Sequence, residues 1–213
     1  MILQKKTVIT VLAVMLFTSI AAQTDRYSNF RTSIPRDSIL LSDPCILADR
    51  ATGTYYMTGT GGLMWTSRDL DTWDGPYIVA HPDPHSWTGA NPQIWAAEIH
   101  PYKGKYYYFA TFTNDSVMIG RFKGMDIPRR STQVLVSDSP GGPYLPMKDA
   151  SFLPADKCTL DGTFWVDTNG KPYMVYCWEW TQNWNGTVEK IELKPDQPNC
   201  FSVQAILHGV VRL

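Results

Sequence analysis

Three acidic residues recur at similar places along the chain, and their type and spacing suit proton-transfer chemistry. Asp43, Glu98 and Asp161 each begin a short strand, which is followed by a glycine turn and a strand rich in aromatic residues. A carboxyl group can donate or accept a proton in a reaction, and carboxyl groups that share one pocket raise one another's pKa. The pattern therefore indicates general acid–base catalysis, provided that the fold brings the three residues together.

A structural role is the alternative for each acid taken singly, because aspartate at a turn often accepts hydrogen bonds from nearby backbone N–H groups. Three acids in register favour function over this alternative. Like charges in a partly desolvated pocket repel one another, so that such a group is costly unless the protein uses it. A pocket of this kind suits the hydrolysis of a glycosidic bond, which requires two carboxyl groups.

The elements that must position these acids form a weak internal repeat. Its turns contain Gly53, Gly104 and Gly170, which gives a period of roughly 50 to 65 residues, the size of a four-stranded propeller blade. No stretch of the mature chain has convincing helical periodicity. We therefore predict an all-β propeller with three four-stranded blades and the acids at one end of the inner strands; a β-sandwich or a set of unrelated hairpins is the alternative. Outer strands of the blades are predicted at 63–67, 133–136 and 187–193.

The N-terminus has the pattern of a secretory signal. Lys5 and Lys6 precede an apolar run, Thr7 to Ile20, that is short for a membrane span, and the small residues Ala21 and Ala22 follow it. We predict a signal peptide at residues 1–23 and a secreted or periplasmic (cell-envelope) domain at 24–213, with no membrane insertion after cleavage. An uncleaved anchor is the alternative.

Composition excludes some classes of partner. A formal net charge of −1 gives no electrostatic footprint for nucleic acid or an anionic membrane.

Cys45, Cys158, Cys177 and Cys200 lack the spacing of metal ligands, and we predict that Cys45 and Cys177, which lie in apolar runs, are buried thiols.

The order and spacing of the motifs resemble family 43 of the glycoside hydrolases, over about residues 40 to 195. Ser42-Asp43-Pro44 resembles the blade-one motif of the family, and Leu160-Asp161-Gly162 resembles its blade-three motif. The segment 95–100 resembles the blade-two motif, although Ala97 stands where proline is common in the family. The resemblance implies a five-bladed propeller of which this chain holds about three blades, so that the chain would be truncated at its C-terminus.

The resemblance also implies roles in an inverting mechanism. Asp43 would be the general base that activates water, and Asp161 would orient the general acid and raise its pKa. The family takes that acid from blade four, and no segment of this chain matches the motif. Glu179, between Trp178 and Trp180, is the remaining acid on an inner-type strand and is the third catalytic candidate. Substrate hydrogen bonding or packing is the alternative for Glu179.

Substrate contacts are predicted for Trp95, Glu98 and Trp178, with packing in the propeller core as the alternative for the tryptophans. We expect a plant-type oligo- or polysaccharide substrate, with α-L-arabinofuranoside or β-D-xyloside bonds, or galactosides as a further option. No cofactor is required, and the family resemblance allows a structural calcium. The alternative from another class is a carbohydrate-binding propeller, or an inactive fragment that lacks the general acid. We expect residues 24–213 by themselves to be inactive on aryl arabinofuranosides and xylosides, and to associate through bare blade faces.

Overall fold

Fourteen β-strands and one short 3₁₀ helix account for the regular structure in a computed structural model, which describes residues 25–147, 153–182, 184–197 and 200–202. The predicted signal peptide lies outside the described residues. The strands are β1 (Asp25–Pro35), β2 (Cys45–Asp49), β3 (Thr54–Thr58), β4 (Leu63–Ser67), β5 (Thr72–Ile78), β6 (Gln93–Tyr102), β7 (Lys105–Phe122), β8 (Met125–Ser137), β9 (Leu145–Pro146), β10 (Thr159–Val166), β11 (Pro172–Trp178), β12 (Thr187–Glu192), β13 (Lys194–Gln197) and β14 (Cys200–Ser202); the 3₁₀ helix is Arg36–Ser38.

The strands form three successive antiparallel blades. Blade one has the order β1-β5-β4-β3-β2, blade two β6-β7-β8-β9 and blade three β10-β11-β12, while β13 and β14 pair separately. The predicted all-β propeller architecture is confirmed, and strands β4, β8 and β12 cover the segments predicted as outer strands, although β4 has β5 and β1 outside it in blade one. The prediction of four strands in every blade is wrong for blade one. There the N-terminal strand β1 pairs outside β5, with Pro35 opposite Thr72. It is also wrong for blade three, which has three strands within the described residues.

Two-residue turns join neighbouring strands where the sequence supplies residues that tolerate positive φ. Lys103 and Gly104, with φ of 47° and 78°, connect β6 to β7. Lys123 and Gly124, with φ of 49° and 84°, connect β7 to β8. Two successive positive φ angles define the type I′ turn, whose twist matches that of antiparallel strands. The sequence predicted the first turn, but not the second.

Blade two is packed on both faces, because successive side chains of a strand point to opposite sides of the sheet. In β7, Tyr108 joins the apolar cluster shared with blade one, whereas Tyr107 and Phe109 join the cluster shared with blade three. All three side chains are at most 2% exposed. This alternation holds the three blades side by side.

Blade three is covered on one face only within the described residues. Met174 and Ile191 are buried against blade two, whereas Trp165 and Val188 on the opposite face are 46% and 38% exposed. An exposed apolar face of this kind favours association with another molecule. The self-association expected of residues 24–213 stays a prediction.

One glutamate of blade three is buried where its sequence pattern indicates an exposed position. Glu189 alternates with Val188 along β12, a pattern that predicts a solvated side chain, but it is 5% exposed. Its carboxylate accepts hydrogen bonds from Tyr176 Oη at 2.7 Å and pairs with Lys157 Nζ at 3.0 Å. The prediction is wrong because Val188, and not Glu189, points to the open face of the blade.

Candidate active site

The innermost strands β2, β6 and β10 each have an unusual backbone conformation just before or within their first few residues, at the same end of the blades. Asp43, Ala96 and Asp161 have φ of 54°, 43° and 53°. Bulges in β6 and β10 accompany the latter two. A non-glycine residue in the left-handed region costs of order 1 kcal/mol or more, and such residues cluster at functional sites.

The shared conformation corrects the predicted alignment of the three acids. Asp43 and Asp161 occupy equivalent positions, but the blade-two equivalent is Ala96 rather than Glu98. Glu98 lies two residues further along its strand, at the position that Cys45 and Thr163 occupy in the other blades. The sequence could not show this, because a bulge shifts the register without changing the residue pattern.

Threonines from the preceding blade hold these strained positions. Thr60 Oγ1 accepts the Ala96 N–H at 3.0 Å and donates to Asp43 Oδ2 at 2.7 Å. Thr111 Oγ1 accepts the Asp161 N–H at 2.9 Å. The hydroxyl groups thereby satisfy backbone donors that the bulges remove from the sheet ladder. Sequence reasoning missed these threonines, of which Thr60 follows β3 and Thr111 lies within β7.

The residue after each strained position is small or cyclic for a steric reason. Gly162 donates its N–H to Thr132 Oγ1 at 3.0 Å, and a Cβ at Gly162 would approach that oxygen to 2.5 Å. Only glycine fits there. Pro44 and Ala97 occupy the same position in blades one and two, where Pro44 is exposed and Ala97 is buried.

Asp161 lies in the combined field of three other carboxylates. Burial raises its pKa, and the charges of Asp43, Glu179 and Glu98 raise it further, while Arg130 offsets part of the effect. Both Asp43 and Asp161 are exposed, and neither forms an ion pair with a described side chain. The fold therefore brings the predicted acids together, with two of them accessible from solvent.

Glu179 differs from that pair because its oxygens are already occupied. It is 5% exposed, and Oε1 pairs with Arg130 Nη1. Oε2 accepts hydrogen bonds from Thr181 Oγ1 at 2.8 Å and from the Cys158 thiol at 3.3 Å. Burial, together with the charge of Glu179, raises the pKa of Cys158 to about 12. These contacts favour the structural alternative for Glu179 over proton donation.

Glu98 forms a bridge between blades two and three. Its Oε2 contacts His100 Nε2 at 2.7 Å and accepts a hydrogen bond from Thr163 Oγ1 at 2.6 Å. Burial acts to raise the pKa of Glu98, but these two partners outweigh burial and leave the pKa below its ordinary value of 4.5. The carboxylate is therefore positioned by two blades at once.

The two predicted tryptophan contacts have different surroundings. Trp95 is half-buried, with the Arg130 guanidinium 4.0 Å from its ring centroid. Trp178 lies 4.2 Å from Lys157 Nζ and donates from Nε1 to Gln182 at 3.0 Å, which favours a packing role. The exposed indoles nearby are Trp180 and Trp184, at 58% and 61% exposure. Sequence reasoning did not single out Trp184, which lies in the loop that follows β11.

The described residues contain no group of three His, Cys, Asp or Glu side chains that could hold a metal ion. The structural calcium allowed by the family resemblance remains an expectation. Cys158 is a buried free thiol, but Cys45 and Cys177 are half-buried rather than buried. Cys177 lies on the face of β11 opposite the buried Met174 and Tyr176, whereas Cys45 contacts the backbone of Ile99 in blade two. The side chain of Cys200 lies outside the description. In the part of the chain that is described, no helix has the length and apolarity to cross a bilayer.

Comparison with known proteins identifies the family of this propeller. The family of glycosyl hydrolases described as family 43 matches residues 35–201. The chain therefore belongs to glycosyl hydrolase family 43. A search of the curated proteins found no match.

Solved structures agree with the assignment. An endo-arabinase from Bacteroides thetaiotaomicron is 31% identical with a TM-score of 0.66, and the match covers 81% of this chain and 57% of that protein. An endo-1,4-beta-xylanase from the same organism is 19% identical with a TM-score of 0.54, covering 78% of this chain and 50% of that one. An endo-arabinanase from Bacillus licheniformis is 19% identical with a TM-score of 0.52, covering 81% and 55%. The chain thus spans little more than half the length of these proteins.

Proposed function

We propose that this protein is a glycosidase that hydrolyses O-glycosidic bonds of plant-type polysaccharides with inversion. The observation that carries the proposal is that Asp43 and Asp161 occupy equivalent left-handed backbone positions in blades one and three. Both carboxylates are exposed, and the charge of Asp43 raises the pKa of Asp161. Arabinan, with α-L-arabinofuranoside bonds, is the first substrate to test, because the endo-arabinase shares 31% identity. β-D-Xylosides and then galactosides follow.

Asp43 suits the role of general base. Thr60 donates to Oδ2 at 2.7 Å, which fixes the carboxylate and leaves Oδ1 to accept a proton from water. An inverting enzyme needs room for that water between the base and the anomeric carbon, and the exposure of Asp43 provides access for it.

Asp161 suits a role in tuning and orienting a proton donor. When it is ionised, its charge raises the pKa of a carboxylic acid close by. We no longer favour Glu179 as that donor, since Arg130, Thr181 and Cys158 occupy its oxygens. We propose instead that Glu179 positions Arg130, which in turn lies against Trp95. An exported location, secreted or in the cell envelope, remains a prediction from the N-terminal sequence.

A carbohydrate-binding propeller without catalysis is the second candidate. The observation that favours it is that both glutamates of the group, Glu98 and Glu179, are held by donors from neighbouring strands. Neither is free to protonate a leaving group.

The two candidates are separated by assays on the protein at the full length of its gene product. Linear arabinan and xylan test hydrolysis, and 2,4-dinitrophenyl α-L-arabinofuranoside tests the step at Asp43 alone, because its leaving group departs without protonation. We expect turnover that releases the inverted sugar, observed by NMR, and a loss of about 10²- to 10⁴-fold in Asp43→Asn with sugar binding retained. Binding without hydrolysis would support the second candidate, and the absence of both would contradict each.

A further inference from the structure

One hairpin extends well beyond the sheet of blade two. Within the blade, β7 pairs with β6 as far as Thr113, which lies opposite Gln93. From Asn114 to Phe122, β7 pairs only with β8. The hairpin begins beside the carboxylate group, because Arg130 of β8 pairs with Glu179 and donates from Nε to Thr113 at 2.9 Å.

The base of this hairpin is fastened to the segment that joins blades one and two. Asn114 Nδ2 donates to the carbonyl oxygen of Trp87 at 2.9 Å, and the side chains of Gln93 and Asp115 are hydrogen bonded. Register shifts on either side of Met118 bend the hairpin. It therefore leans in a defined direction.

The tip of the hairpin meets the β11–β12 loop of blade three. The ring of Phe122 packs edge-on against that of Trp184, with centroids 5.6 Å apart and an interplanar angle of 62°. Lys123 Nζ lies 3.6 Å from the centroid of the Trp184 ring. These contacts join two blades above the end at which the carboxylates lie, and they hold the indole in place.

This loop presents two indoles to solvent. Trp184 is 61% exposed and Trp180 is 58% exposed, so neither ring contributes much to the core. Trp180 follows Glu179 directly, and Trp184 is three residues from Thr187, a separation of about 11 Å at most. Thr187 pairs with Trp178, the neighbour of Glu179. Both tryptophans therefore lie at the end of blade three at which the carboxylates lie, which we call the rim of the site. A ligand that extends from the carboxylates along this end of the blade would reach them.

We propose that Trp180 and Trp184 form a carbohydrate-binding subsite for sugar units remote from the bond that is hydrolysed. The proposal rests on the glycosidase function proposed above, and its occupant is an extended neutral polysaccharide chain. An indole offers a flat apolar face to the C–H face of a sugar ring. Lys123, which has donor groups and no acceptor, can donate to sugar hydroxyls beside the ring. The subsite would favour long substrates over short ones.

The test compares long and short substrates in the full-length protein. We expect Trp184→Ala and Trp180→Ala each to weaken binding to linear arabinan by about fivefold to tenfold, measured by affinity electrophoresis and calorimetry. Turnover of 2,4-dinitrophenyl α-L-arabinofuranoside should stay within twofold of the parent, because that substrate does not reach the rim. Trp184→Phe should recover most of the affinity.

Trp165→Ala is the matched control. Trp165 is also an exposed tryptophan of blade three, with Lys190 Nζ 5.5 Å from its ring centroid, but it lies near the opposite end of its strand. It should leave the affinity for arabinan unchanged. Parent-like arabinan binding by both Trp184→Ala and Trp180→Ala would overturn the subsite and leave the glycosidase proposal intact. A parent protein that neither binds nor hydrolyses arabinan, xylan or galactan would instead overturn the proposed function and the subsite together.

Discussion

Asp43 and Asp161 differ from Glu98 and Glu179 in what their carboxylate oxygens contact. The aspartates are exposed, stand at left-handed backbone positions and form no ion pair with a described residue. The glutamates lie within strands or at their ends and are held by His100, Thr163 and Arg130 among others. One pair is thus available to solvent and ligand, while the other braces neighbouring blades.

The difference shows that proximity alone does not assign chemistry to an acid. The four carboxylates form one group, since the charges of Asp43, Glu179 and Glu98 raise the pKa of Asp161. The aspartates remain able to exchange protons with a ligand, and their strained backbone is held by the hydroxyls of Thr60 and Thr111. The comparison therefore predicts that removing the charge of Asp161 stabilises the fold, whereas removing the charge of Glu98 or Glu179 destabilises it.

The largest effect on folding is expected from Glu179→Ala. Removal of this carboxylate leaves the Arg130 guanidinium, which is 15% exposed, without its buried partner. Breaking a buried pair in this way costs about 3–5 kcal/mol of unfolding free energy. Urea denaturation measures the loss. The exposed pair of Arg121 and Asp126, 3.4 Å apart, is the control, and Asp126→Ala should cost less than about 1 kcal/mol. Equal losses in the two variants would place Glu179 among the accessible acids.

Asp161→Asn should lower the rate and raise the stability. The pKa of Asp161 is raised in the folded protein, so its ionised form opposes folding at neutral pH. The variant should therefore melt at a higher temperature than the parent at pH 7, and at the same temperature once the pH is low enough to protonate the group in both states.

The rate of Asp161→Asn is expected to fall by about tenfold or more, within the range for assisted proton transfer. Loss of a negative charge lowers the pKa of a neighbouring acid, so the limb of the pH–rate profile set by the proton donor should move to lower pH. A lower melting temperature at pH 7 combined with an unchanged pH–rate profile would make Asp161 a bracing residue like the glutamates.

Glu98→Gln should have the smallest effect, and its sign is opposite. The pKa of Glu98 is lowered in the folded protein, so its contribution to stability is present above its ordinary pKa of 4.5 and is lost as the pH falls through the folded value. Thermal melts should show the variant below the parent at pH 7. The two curves should begin to approach each other as the pH falls below about 4.3, the reference pKa of glutamate, and should meet once the pH lies below the folded pKa. A difference that persists in acid would mean that packing, and not charge, is lost.

Much of this architecture could be predicted from sequence because the relevant signals are local. Glycine turns and aromatic strands recur in each blade, and Asp43-Pro44 and Asp161-Gly162 lie within a few residues of the first residues of β2 and β10. The extra strand of blade one could not be predicted in this way. Strand β1 pairs across a long separation with β5 and has no counterpart in the repeat.

The site was harder to predict where partners come from distant parts of the chain. Glu179 appeared to be a candidate acid because its neighbours in sequence are tryptophans, but its partner Arg130 lies 49 residues earlier. Ala96 replaced Glu98 as the equivalent of the aspartates because of a bulge, which depends on the pairing with β7. Sequence patterns describe which face a residue occupies, but not which group from another blade meets it there.

The role of Asp43 is tested most directly by chemical rescue. Azide is a nucleophile that needs no general base, because it already carries a negative charge. In Asp43→Ala, turnover of 2,4-dinitrophenyl α-L-arabinofuranoside should fall by about 10²-fold or more, and azide should restore it. Azide would then displace dinitrophenolate and give the glycosyl azide of inverted configuration, identified by NMR. Asp161→Ala should give no such product. Turnover by Asp43→Ala at the parent rate without azide, or an azide product from Asp161→Ala alone, would contradict the assignment of Asp43 as the base.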